Sequence, residues 1–130
     1  MNIGSANVAA LALALGIPPA AHAEPPAVAQ QEVNALLAGI ELSGCEFYRN
    51  GSWYNSKRAQ AHLRDKYDYL ARRNQINIAE DFIDKGASES SLSGTPYQVR
   101  CSGREAVPSS QWLREELARY RELQKMGGSR

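Results

Sequence analysis

Few side chains here could do catalytic or metal chemistry. The chain has two histidines, His22 and His62, and two cysteines, Cys45 and Cys101. Cleavage of an N-terminal leader would remove His22 and a disulfide would consume both thiols, leaving His62 alone where structural zinc needs four ligands and catalytic zinc three, so no metal or other cofactor is expected. His62 stands three residues before Asp65, a spacing that on a helix lets a carboxylate orient an imidazole. No G-x-S-x-G elbow accompanies the pair, so an ordinary helical histidine is the plainer reading. Glu80 and Asp84 are one helical turn apart and could act as the carboxylate pair of an enzyme working on a saccharide or peptide. Glu80 also fits the third position of a capping box opened by Asn77, which would make it structural. P-loop and EF-hand patterns are absent. Catalysis through Glu80, Asp84 and His62 is therefore kept as one alternative and a purely structural envelope protein as another, and binding is the leading class.

The compartment decides what the cysteines do. No charged side chain occurs before Glu24. Val8 to Ile17 (VAALALALGI) is apolar but too short to span a bilayer. Pro18 and Pro19 break it, and Ala21-His22-Ala23 places small residues at a signal-peptidase site, so residues 1–23 read as a signal peptide cleaved after Ala23. The usual basic residue of such a leader is missing; a buried N-terminal helix is the competing reading. Leu42-Ser43-Gly44-Cys45 has the form of a lipoprotein site, yet the polar residues Gln30, Gln31, Glu32 and Glu41 before it exclude the required apolar run. Export to an oxidising compartment leaves Cys45–Cys101 as the one intramolecular disulfide available. With 15 Lys plus Arg against 14 Asp plus Glu, the chain has no basic excess, so a nucleic-acid partner is not expected. No second apolar run predicts membrane insertion after cleavage.

The elements that must position any site follow from periodicity. Residues 24–28, with Pro25 and Pro26, read as a flexible tether. From Ala29, apolar residues recur at Val33, Leu36, Leu37 and Ile40, one face of a helix that Ser43-Gly44 stops. Asn50-Gly51, inside CEFYRNGSWY, predicts a hairpin with a two-residue turn, pairing Arg49 with Ser52, Tyr48 with Trp53 and Phe47 with Tyr54. Asn55 or Ser56 can cap a second helix with Ala59, Leu63, Tyr67 and Leu70 inward; its other face is charged with mixed signs and reads as solvated. A short helix then runs from Asn77 to near Gly86. Ser88 to Pro96 reads as a loop, Tyr97 to Cys101 as a third strand. Pro108-Ser109-Ser110 opens a last helix with Trp112, Leu113, Leu117, Tyr120 and Leu123 inward. Residues 29–124 thus form a single α+β domain, and residues 125–130 a frayed end.

If the cysteines lie opposite one another, the first and third strands are antiparallel neighbours. Phe47 then faces Val99, Glu46 faces Arg100 and Tyr48 faces Gln98. The result is a small three-stranded sheet of order 2-1-3 packed against about four helices. Alternation puts Cys45, Phe47, Arg49, Tyr54, Tyr97, Val99 and Cys101 on one face. The other face holds Glu46, Tyr48, Trp53, Gln98 and Arg100. That second face is the candidate binding surface, built on Tyr48, Trp53 and Arg100 with Gln98, and helped by Arg49 and the Ser90–Thr95 loop. A helix covering it would instead make the rings ordinary core.

Taken in order, SGCEFYRNGSWY, AHLRDKYDYL, AEDFI, SSLSGTPYQVRC and WLREELARYR resemble the YfeK-like family of small bacterial periplasmic proteins, over about Glu32 to Arg121. The resemblance implies a Gram-negative periplasmic setting. It supplies no activity; the scarcity of catalytic groups beside an aromatic and guanidinium surface makes the expectation a non-enzymatic binding or adaptor module whose partner is an envelope protein or a cell-wall ligand.

Overall fold

The computed structural model of the chain describes residues 24–128. The expected signal peptide, with its cleavage site after Ala23, lies outside them. Helix α1 (Ala27–Leu42) begins within the stretch read as a tether. Proline suits a helix start, where its missing N–H has no intrahelical acceptor, and the Pro26 carbonyl accepts the Gln30 N–H at 3.0 Å. Val33, Leu36, Leu37 and Ile40 are buried as their spacing predicts. Gly44 then turns the chain with a φ of 69°.

Strands β1 (Glu46–Arg49) and β2 (Ser52–Asn55) form the hairpin in the expected register. Asn50 and Gly51 have φ of 48° and 89°, the two positive angles that a type I′ turn requires. Asn55 caps α2 (Ser56–Arg72), accepting the Arg58 N–H at 2.9 Å. Ala59, Leu63, Tyr67 and Leu70 are its buried face.

Helix α3 (Ala79–Gly86) corrects one assignment: Asp81, not Glu80, caps it. The Asp81 carboxylate accepts the N–H groups of Asn77 at 2.8 Å and Ile78 at 3.1 Å, which holds its pKa below the usual aspartate value. The helix starts one residue later than the pattern implied, so the third helical position passes to Asp81. Glu80 is thereby free to reach another element.

Strand β3 (Gln98–Arg100) pairs with β1 as Glu46 to Arg100, Phe47 to Val99 and Tyr48 to Gln98. The Cys45–Cys101 disulfide closes this ladder, with Cα atoms 4.3 Å apart. The sheet has four strands, not three: β4 (Val107–Pro108) adds to the far edge, giving the order β2-β1-β3-β4. Two residues are too few for period-two alternation to register, and proline is tolerated because this is an edge strand.

Helix α4 (Ser109–Gly128) continues through residues read as a frayed end. Leu123 to Met126 are good helix formers, and nothing in that run breaks the turn. Leu113 and Leu117 are buried, and Trp112 packs edge-on to Phe47 at 5.8 Å. Leu123 does not point inward: it is 59% exposed, because every residue after Arg121 lies beyond the elements that α4 packs against.

Arg121 ends the packed part of α4. Its guanidinium donates to both Glu32 oxygens on α1 at 2.8 Å and to Glu80 on α3 at 2.8 and 3.0 Å. Glu32 is buried, so the forked pairing satisfies a carboxylate that water barely reaches. The same bonds hold the Glu80 pKa below its ordinary value.

Candidate functional site

The outer sheet face carries the residues singled out for binding. Tyr48 and Trp53 meet edge to face at 5.3 Å. The Arg100 guanidinium lies 3.9 Å from the Trp53 ring centre and donates to Glu46 at 2.9 Å. None of these side chains, nor Gln98, is buried, so no helix covers the rings among the described residues. The group is largely self-satisfied, however. Arg100 occupies one face of Trp53, and Glu46 meets the charge of Arg100.

Arg49 does not join that group. It projects from the opposite face, where its guanidinium lies 4.9 Å from the Tyr54 ring centre and its Nη1 is 2.8 Å from His62 Nδ1 and 3.1 Å from Nε2. Helix α2 presents His62 and Lys66 on successive turns of one stripe. The Tyr97 ring is buried, and its hydroxyl is 3.3 Å from His62 Nε2 and accepts from Lys66 Nζ at 3.2 Å. Lys66 also donates to the Glu89 carbonyl at 3.3 Å.

Arginine can only donate, so His62 must offer a lone pair to it. With Nδ1 accepting from Arg49, Nε2–H donates to the Tyr97 oxygen. Burial, and then the positive charges of Arg49 and Lys66, push the His62 pKa down to about 4 against the smaller opposing pull of Asp65. Burial and Arg49 likewise lower the Lys66 pKa, with Glu89 pulling the other way. Burial raises the Tyr97 pKa, keeping the phenol protonated. Neither Arg49 nor Lys66 has an ion-pair partner among the described residues.

Arg49, His62 and Tyr97 stand between two hollows. One is an open cleft of about 400 Å³, bordered by Arg49, His62, Lys66, Tyr97 and the Ser90–Leu92 turn. The other is a chamber of about 90 Å³, floored by Phe47, Tyr54, Leu63 and Ser109. The Ser109 hydroxyl is buried there and has no hydrogen-bond partner among the described residues. The serine loop spends its N–H groups internally: Ser90 Oγ accepts from Leu92 and Ser93, and the Gly94 N–H goes to the Ser90 carbonyl. Ser93 Oγ donates to Asn50 Oδ1 at 2.8 Å, tying the loop to the hairpin turn beside Arg49.

Residues 27–121 match the Family of unknown function (DUF5329). The chain belongs to this family. It is 41% identical over 90 residues to "Uncharacterized protein YfeK" of Salmonella typhimurium, covering 68% of this chain and 72% of that protein. No solved structure matches. The expected likeness to YfeK-like proteins therefore holds, and family membership brings a fold-spanning pattern without an activity.

Within this family member, the alternative catalytic set is dispersed. Glu80 is bound to Arg121, and Asp84 pairs with Arg114. No hydrogen bond joins Asp65 to His62 among the described contacts; Arg49 and Tyr97 hold the ring. The group around Lys66 was missed because the charged face of α2 reads as solvated. Its signal was the Arg58, His62, Lys66 stripe at four-residue spacing, flanking the buried stripe.

A neutral His62 makes stability depend on pH. The unfolded chain binds a proton there below about 6.5, whereas the folded chain does not until about 4. The unfolded state therefore holds more protons in that window, and acidification destabilises the fold. His62 is partly exposed, so screening reduces the effect to the order of 1 kcal/mol. Denaturation between pH 6.5 and 5, above the range of Glu80 and Asp81, should show this slope in the native chain and lose it in His62→Gln. An unchanged slope in the variant would show that His62 is not held neutral.

Proposed function

We propose that the mature domain is a non-enzymatic binding module of the bacterial periplasm, exported by the segment ending at Ala23, that takes a small envelope ligand in the cleft walled by Arg49, His62, Lys66 and Tyr97. One observation carries the choice of site: Lys66, bonded to the Tyr97 hydroxyl, and Arg49, bonded to the neighbouring His62 ring, border the same open cleft without a carboxylate paired to either. Its volume lies in the range of small-molecule sites. The disulfide supports an oxidising compartment. The dispersal of Glu80, Asp84 and Asp65 favours binding over catalysis.

The test has two parts. Full-length chain expressed in a Gram-negative host should be recovered from the periplasm with a mass starting at Glu24 and two hydrogens light. The purified protein should then melt at a higher temperature in the dialysable fraction of a periplasmic extract, because a ligand that binds only the folded state stabilises it. Arg49→Gln should abolish the rise. A retained N-terminus would remove the compartment, and an equal rise in Arg49→Gln would remove the site.

A second reading rests on the outer face, where Arg100 is already ordered on Trp53 beside Tyr48. Aromatic and arginine side chains of this kind anchor protein interfaces, so the partner there would be a folded envelope protein. In that case Trp53→Ala with Arg100→Ala loses the partner and Arg49→Gln retains it.

A further inference from the structure

Resting on the cleft as the binding site, we propose that its ligand is a small organic anion whose carboxylate or phosphate group is held by Arg49, Lys66 and the Tyr97 hydroxyl. Arg49 has five N–H groups, and its contacts with the His62 ring and with Tyr54 leave some of them for a ligand. Lys66 has three, of which the Tyr97 oxygen and the Glu89 carbonyl use two. In the tautomer set by the shorter Arg49 contact, at Nδ1, the Tyr97 oxygen accepts from Lys66 and from His62 Nε2–H, which leaves its own hydrogen for a further acceptor. Three donors at one wall, two of them charged, call for an oxygen-rich anion.

Nearby charges leave the site positive. Asp65 borders the cleft and Glu89 acts on Lys66, while Lys85 adds a further cation to the lining. His62 is electrically silent at neutral pH, so it fixes Arg49 without competing for the anion. Tyr69, Leu70 and Leu92 line the remainder, which suits a carbon skeleton attached to the anionic head better than a bare ion.

Titrations of the mature, oxidised protein, followed by amide and side-chain nuclear magnetic resonance, test this with sodium succinate, glycerol 3-phosphate, inorganic phosphate, glucose and sodium chloride. Saturable shifts around Arg49, Lys66 and Tyr97 are expected with succinate or glycerol 3-phosphate, and which of these two saturates first identifies carboxylate or phosphate as the head group. Charge-assisted hydrogen bonds of this kind make Arg49→Gln and Lys66→Gln each about tenfold weaker. Tyr97→Phe keeps the buried ring, so the fold survives, and it should weaken binding several-fold. Lys125→Gln, on the exposed last turns of α4, should leave it unchanged. Shifts that track sodium chloride without saturating would overturn the anion assignment. Saturation by glucose alone at the same residues would also overturn it while leaving the cleft a binding site.

Discussion

Phe82→Ala is expected to lower the unfolding free energy by about 3–5 kcal/mol, the range for truncating a buried aromatic in a core that cannot collapse around the gap. Phe82 is fully buried on α3, a helix of only eight residues that cannot persist without tertiary contacts. Its ring meets Tyr67 of α2 edge to face at 5.8 Å. On the same helix, a Cβ added at Gly86 would lie 3.0 Å from a Leu70 methyl and 3.4 Å from the Phe82 ring. The two helices already touch closely there, so little room exists for relaxation into the cavity. Chemical denaturation at pH 7, followed by far-ultraviolet circular dichroism, gives the number. A loss under about 1 kcal/mol would mean that α3 packs loosely against α2.

Replacing both cysteines, Cys45→Ala with Cys101→Ala, should cost about 4 kcal/mol in the chain-entropy account of a cross-link closing a loop this long. The cysteines are 56 positions apart, and their loop encloses the hairpin, α2, α3 and β3. Most of the effect lies in the unfolded chain, which the bridge keeps from expanding. The variant should therefore also expose more surface on unfolding and show a steeper denaturant dependence. Paired urea curves of the oxidised and substituted proteins measure both quantities. A variant within about 1 kcal/mol of the parent would show that the β1–β3 ladder and the helices hold the domain without the cross-link. Domain stabilities commonly total about 5–15 kcal/mol, so either change alone removes a large share.

The local architecture was legible because its signals are short-range. Asn50-Gly51 demanded a turn with two positive φ angles, and that turn set the β1–β2 register. Two cysteines in one chain set the β1–β3 register, and Glu46 opposite Arg100 agreed with it. Failures came where the signal was weak or the competition close. Val107-Pro108 was too short to show alternation. Asp81 and Glu80 are adjacent carboxylates, and one residue of helix phase chose between them. Leu123 kept the helical spacing of a core residue on a helix that outruns its neighbours.

By itself the sequence determined which residues are apolar on each helix, where the chain turns, how β1 pairs with β2 and β3, and which sheet face Tyr48, Trp53 and Arg100 occupy. It also determined family membership, since the matching residues run through nearly every element. Only the tertiary structure decided that Arg49, His62, Lys66 and Tyr97 share one wall, although Tyr97 lies 35 residues from His62 along the chain. Periodicity marks the side of a helix that faces inward. It does not encode how that helix lies across the sheet, and that packing sets which polar residues at the edge of its buried stripe meet those of the hairpin and the strand entry.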